Sequence, residues 1–196
     1  MKILGLDVST SNVGICLMDT EQPQMHRVVL AIATPLSKEK GLYAKTCKVR
    51  DTIIDILSDH DIDVVAIEES LQAFRRNMSS ARTIRTLNRF NGIISWIARS
   101  ESRAPVVLGN VIAVRNKVGL KIDKKSNETT KEQVLEWVSQ HPEMKDFEWP
   151  TKILKSGPQK GKSRNEVFCY DIADAFVMAL WGCDHLNNEE IDSTIL

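Results

Sequence analysis

No apolar run in this chain approaches the roughly 18 uninterrupted residues that a bilayer-spanning helix needs. Its start, "MKILGLDVS", lacks the longer apolar region and cleavage site of a secretory signal. The expectation is a cytoplasmic protein with no membrane partner. Cysteine is sparse: Cys16, Cys47, Cys169 and Cys183 stand apart with no C-x-x-C pair, which argues against a zinc site and a disulfide framework and leaves reduced core residues. "GCDHL" brings Cys183 near His185, but two ligands do not make a metal site. Internal repeats and low-complexity segments are missing as well. So is net charge, with 26 Lys and Arg against 26 Asp and Glu.

What is there suits one globular domain over residues 1–196, 42% hydrophobic and 27% charged. The neutral total hides a segregation. From Leu71 to Lys131 thirteen Lys and Arg face three acids (Glu101, Asp123, Glu128), and "TKILKSGPQKGKSR" (151–164) adds five bases with no acid. A solvated face is the ordinary use of such a run, and a polyanion such as nucleic acid is the sharper one.

Periodicity predicts strands over Lys2 to Val8, Val13 to Asp19 and Met25 to Pro35, joined by short polar links as an antiparallel meander. A helix follows over Gly41 to His60, then a strand over Asp63 to Ser70, a long helix over Met78 to Ser102 and a strand over Ala104 to Val111. "RNKVGLKIDKKSNE" reads as a basic loop, and "TTKEQVLEWVSQ" as a helix capped by Thr129 or Thr130. Residues 141–164 have weak periodicity and read as an irregular basic insertion. A final apolar helix runs from Asn165 to Cys183, and 184–196 read as a frayed acidic tail. A helix between strands implies a parallel crossover, so the expected fold is α/β: a mixed sheet of three antiparallel strands followed by parallel ones, flanked by helices.

Four acids interrupt apolar elements. Asp7 lies in the first strand and Glu68 ends the fourth, while Asp171 and Asp174, three apart, share a face of the last helix. Each has an ordinary reading: Asp7 as a turn cap in "DVST", Glu68 and Glu69 as a solvated strand exit, Asp171 as an acid favoured in a helix's first turn. Asp174 resists one, enclosed by "DAFVMALW". If the elements converge, like charges at close range cannot all ionise without a counter-ion. A pair of divalent cations answers this, and oxygen-only ligands point to Mg²⁺ or Mn²⁺. The histidines His26, His60, His141 and His185 fall in loops or element ends and read as surface residues.

"ILGLDVSTSNVGICLMD", "DVVAIEES" and "YDIADAFVMALWGC", in that order, resemble the signature segments of the RuvC family of Holliday-junction resolvases, which have the ribonuclease H-like fold. The resemblance implies that Asp7, Glu68, Asp171 and Asp174 are catalytic and hold two metal ions. It implies a homodimer acting on branched DNA, with 5′-phosphate and 3′-hydroxyl products and no nucleotide cofactor. "AVRNKVGL" and "TTKEQVLEWV" resemble the family's basic segment and following helix, bringing Arg115 and Lys131 near the cleaved phosphate. Lys117, Lys121, Lys124 and Lys125 extend that expected DNA surface. Phe74, between Arg75 and Arg76 in "LQAFRRNMSS", is the expected base-stacking aromatic that opens a junction. The apolar stripe Ile84, Leu87, Ile94 and Ile97 is the expected dimer seam, with core packing as its rival use.

Two departures stand out. "STSN" replaces the family's small Gly-rich turn after the first Asp, and 141–164 is longer and more basic than the bacterial segment, resembling virus-encoded and organellar relatives in length. A virus-encoded protein would work in host cytoplasm. Cleavage of flaps, forks or RNA–DNA hybrids keeps the same chemistry, and a non-cutting binder of branched DNA would not need four mutually repelling acids. "GLDVSTSNVG" also resembles the phosphate-binding hairpin of the actin and sugar-kinase superfamily, but a clasp of two such domains does not fit in 196 residues.

Overall fold

The computed structural model describes residues 1–69, 81–158 and 160–186, with the side chains beyond Cys183 left aside. Phe74, Arg75 and Arg76 lie outside the described residues, as do the start of the expected long helix and the tail from residue 187.

The meander forms as β1 (Lys2–Val8), β2 (Asn12–Asp19) and β3 (Val28–Pro35), with β2 antiparallel to both neighbours. The expected strand from Met25 starts late, because Pro23 leads into a 3-10 turn, Gln24–His26. Helix α1 (Gly41–Asp59) crosses over to β4 (Val64–Glu68), parallel to β1, and α2 (Ala81–Ser102) leads to β5 (Val106–Gly109), parallel to β4. The resulting five-stranded sheet has the order β3-β2-β1-β4-β5.

Strand alternation sorts the sheet into two cores. Leu4, Leu6, Val8, Val65 and Ile67 face α1 and α2, whose Val49, Ile53, Phe90, Ile94 and Ile97 are buried with them. Ile94 and Ile97 are therefore core residues and not a dimer seam: 0% and 3% of their surface remains exposed. The opposite face, with Ile3, Cys16, Val64 and Ala66, lies under the last helix, α5 (Cys169–Leu186). Asp7 shares its parity with Ile3 and Gly5, and Glu68 with Val64 and Ala66, so period two delivers both acids to the α5 side.

Three segments differ from expectation. The basic loop opens as a short helix, α3 (Val111–Lys117), because the Asn110 side chain accepts the amides of Ile112 and Ala113 at 3.1 and 3.3 Å. After α4 (Thr130–Gln140), stretch 141–164 is ordered: a 3-10 turn Pro142–Met144, then a hairpin of β6 (Thr151–Ile153) and β7 (Ser163–Asn165). Met144 is fully buried, and Phe147 and Trp149 pack on the α5 core. Finally, α5 begins at Cys169, not Asn165, after a turn closed by the Cys169 amide donating to the Glu166 carbonyl at 3.1 Å.

Cys16, Cys169 and Cys183 are buried and Cys47 is half-buried, none of them in a disulfide, as the sequence suggests. His141 is not a surface residue. It packs between Trp137 and Phe176, 5.1 Å from each ring, and burial lowers its pKa.

Candidate active site

The parallel register of β1 and β4 ends at Leu6↔Ile67, so Asp7 and Glu68 follow side by side at the same sheet edge. Helix α5 crosses above them at a distance that side chains on the strands would forbid. A Cβ on Gly14 would overlap the carbonyl of Asp171, and one on Gly5 would overlap the backbone at Ala175 and Ala179. These two glycines let α5 rest on bare backbone, which brings Asp171 and Asp174 down to the strand acids.

All four carboxylates line one cavity of about 210 Å³, together with Arg115 and Lys131. Asp171 and Asp174 are only 5% and 7% exposed. Asp7 keeps some exposure because it opens onto the cavity, and its pKa stands well above the ordinary range. Burial is the main cause, and Asp174, Glu68 and Asp171 each add to it. Burial, then Asp174, pushes Glu68 up to about 7. Asp171 is raised by burial, against the pull of Lys131 and of hydrogen bonds from Asn12 and Asp7. Burial and mutual repulsion thus both disfavour full ionisation of Asp7, Glu68 and Asp171.

Two cations of the chain answer part of it. Asn110 starts α3, which carries Arg115 to Asp174, Nη2 to Oδ1 at 2.9 Å. The buried Arg115 Nε makes no hydrogen bond, so one donor is left over. A capping box, Thr129 with Glu132, starts α4 and sets Lys131 in its first turn, Nζ 3.8 Å from Asp171 Oδ1 and 58% exposed. Lys117, Lys121, Lys124 and Lys125 are exposed on the end of α3 and the following loop, and are not among the residues lining the cavity.

The donor set is made of carboxylate oxygens, and burial first, then mutual repulsion, raises Asp7, Glu68 and Asp171 toward protonation, which fits hard divalent cations. The acids are not drawn together around a point: among the described residues no three His, Cys, Asp or Glu side chains form a ready metal cluster. Asp174 is paired with Arg115 and Asp171 with Lys131.

Some site residues escaped the sequence reading. Asn12 Nδ2 donates to Asp171 Oδ2 at 3.0 Å, and Asn91 Nδ2 donates to the Glu68 carbonyl at 2.9 Å. Asn91 had left a signal, since it sits between Leu87 and Ile94 where the α2 stripe calls for an apolar residue. Glu69, which alternation would turn away, also contributes to the cavity wall, because β4 ends at Glu68. Ser9 lines the cavity too, but its hydroxyl closes its own turn, donating to the Asn12 carbonyl at 2.8 Å and accepting the amides of Ser11 and Asn12.

No protein-family model and no curated protein matches the chain. Solved structures do. RuvC of Thermus thermophilus, in complex with a Holliday junction substrate, has a TM-score of 0.64 at 15% identity, over 100% of this chain and 99% of that one. A second Thermus thermophilus RuvC structure gives 0.62 at 17% identity over 100% of both chains. The yeast mitochondrial Holliday junction resolvase gives 0.51 at 14% identity, over 91% of this chain and 76% of that one. Five strands in the order 3-2-1-4-5 with α5 laid across β1 and β4, matched over the full length, give this chain the ribonuclease H-like fold of the RuvC resolvases.

Proposed function

We propose that this chain is a metal-dependent, structure-selective endonuclease that cuts phosphodiester bonds in four-way junctions or other branched DNA, leaving 5′-phosphate and 3′-hydroxyl ends. The observation that carries this reading is the convergence of Asp7, Glu68, Asp171 and Asp174 on one cavity that also holds Arg115 and Lys131. The RuvC fold, seen elsewhere on a Holliday junction, supports it.

Asp7, Glu68, Asp171 and Asp174 would hold two Mg²⁺ ions, with Mn²⁺ as a substitute. Bound there, the ions would supply a more acidic attacking water and charge compensation at the departing 3′ oxygen. The protein's own residues do the rest. Asn12 fixes the Asp171 carboxylate and Asn91 fixes the strand end that carries Glu68. Lys131, exposed and held at 3.8 Å, is available to a phosphate oxygen of the substrate. Arg115 balances Asp174 and keeps Nε for a further acceptor. With Ser9 committed to its turn, a covalent serine intermediate has no support, and direct attack by water fits a cavity lined by carboxylates.

A four-way junction has two-fold symmetry and needs two cuts, so the active form is a homodimer. Ile94 and Ile97 being core, the seam falls to the outer face of α2, where Ile93 and Trp96 are 37% and 69% exposed one turn apart. Digesting a four-way junction, a fork, a flap and an RNA–DNA hybrid side by side with Mg²⁺ or Mn²⁺ tests the function. Preference for the junction supports resolvase action, and preference for another substrate moves the reading to that substrate.

A further inference from the structure

The β6–β7 hairpin is charged in one sign: Lys152, Lys155, Lys160, Lys162 and Arg164 fall within 151–164, with no acid. Its ladder pairs Lys152 directly with Arg164 and continues past the strands, the Leu154 amide donating to the Lys162 carbonyl at 3.0 Å and the Gly161 amide to the Leu154 carbonyl at 2.8 Å. Like charges opposed across a ladder cost stability. Lys152 is countered by Glu166, Nζ to Oε2 at 2.8 Å. Lys155, Lys160, Lys162 and Arg164 are exposed. Apolar burial does not explain the hairpin, because Ile153, the last residue of β6, is 68% exposed. A local rule broken without a packing gain points to a partner.

The base of the hairpin is tied to the start of α5, the Glu166 amide and the Cys169 thiol both donating to the Pro150 carbonyl, at 2.8 and 3.3 Å. β7 ends at Asn165, shortly before α5 begins with Asp171 in its first turn. After the hydrogen bonds from Thr129, the charge of Arg164 adds to what holds the Glu132 carboxyl, in the first turn of α4, below its ordinary range. Positive charge is thus exposed on the hairpin and, at the cavity, on Lys131.

We propose that the β6–β7 hairpin is a phosphate-gripping arm that holds a duplex arm of the DNA substrate next to the carboxylate cavity through Lys155, Lys160, Lys162 and Arg164. It rests on the nuclease reading above. Each phosphate neutralised releases counterions and steepens the salt dependence of binding by about 0.9.

The test uses the full chain, a DNA four-way junction and a plain duplex, with binding measured over a range of salt without divalent metal. In one variant Lys155, Lys160, Lys162 and Arg164 are all changed to Gln; in a control the three lysines become Arg. The Gln variant should bind both DNAs at least about tenfold more weakly, with a slope of log K against log salt shallower by about 2–3. The Arg control should bind as wild type does. Unchanged affinity and slope in the Gln variant would overturn the arm, as would an equal loss in the control, which would mark a folding defect and not lost charge. Wild type that binds neither DNA would sink the nuclease reading together with the arm, whereas wild type that binds and a Gln variant that matches it would sink the arm alone.

Discussion

Arg115 Nη2 lies 2.9 Å from Asp174 Oδ1, both side chains largely buried, so a guanidinium of the chain itself neutralises one of the four acids. Removing it leaves a buried carboxylate uncompensated. Arg115→Ala should lower metal-free stability by up to about 3 kcal/mol. Millimolar Mg²⁺ should recover much of that loss, because a metal replaces the missing positive charge. Thermal melts with and without Mg²⁺ check this, and a variant that melts like wild type in both would contradict it.

The acids make stability depend on pH in an unusual direction. Glu68 titrates near 7 in the fold against an ordinary 4.5, so the native chain holds more protons than the unfolded one between those values. Stability of the metal-free protein therefore falls as pH rises through that window, and the raised Asp7 and Asp171 act the same way. The melting temperature should be higher near pH 5.5 than near pH 8, and Mg²⁺ should raise it more near pH 8, where the site is ionised. A metal-free protein that gains stability toward pH 8 would refute the raised state of Asp7, Glu68 and Asp171.

Gly14 is the seat of α5. A methyl there overlaps the Asp171 carbonyl, so Gly14→Ala must lift the helix end that carries Asp171. The expected cost is about 1–3 kcal/mol, with weaker Mg²⁺ binding by calorimetry than wild type. Normal metal affinity in a folded Gly14→Ala protein would show that α5 is not held by this contact.

The homodimer reading places Trp96 and Ile93 at the seam. Light scattering should give twice the chain mass for wild type and a monomer for Trp96→Asp, with the melting temperature little changed because Trp96 is 69% exposed. Wild type that stays monomeric with and without junction DNA would contradict the pairing.

The site acids were legible because a charge in an apolar strand or helix is conspicuous: Asp7 in "ILGLDV" and Asp174 in "DAFVMALW" carry their own signal. Convergence was legible only through the assumption that the last helix crosses the first strand, and the reason it can, Gly5 and Gly14, emerges only with α5 in place. Short elements were lost. In α3 just one residue, Val114, is buried, so its seven residues show no apolar stripe, and its start depends on the Asn110 cap. The three-residue strands β6 and β7 are mostly exposed and lack alternation. The stripe on α2 was seen with two uses open, a dimer seam and core packing, since sequence spacing cannot say whether Ile94 meets a sheet or a second subunit; Ile94 and Ile97 take the second.

The most direct measurement is cleavage of an end-labelled four-way junction in Mg²⁺ by wild type and by Asp7→Asn. Wild type should nick the junction to give 5′-phosphate ends that ligase can reseal. Asp7→Asn should bind the junction as tightly as wild type or more so, having lost a charge that repels phosphate, yet cut it more than about 100-fold more slowly, since even residues outside the metal's ligands cost 10–100-fold. A wild-type protein that cuts no branched DNA with Mg²⁺ or Mn²⁺, or an Asp7→Asn protein that cuts at the wild-type rate, would contradict the account.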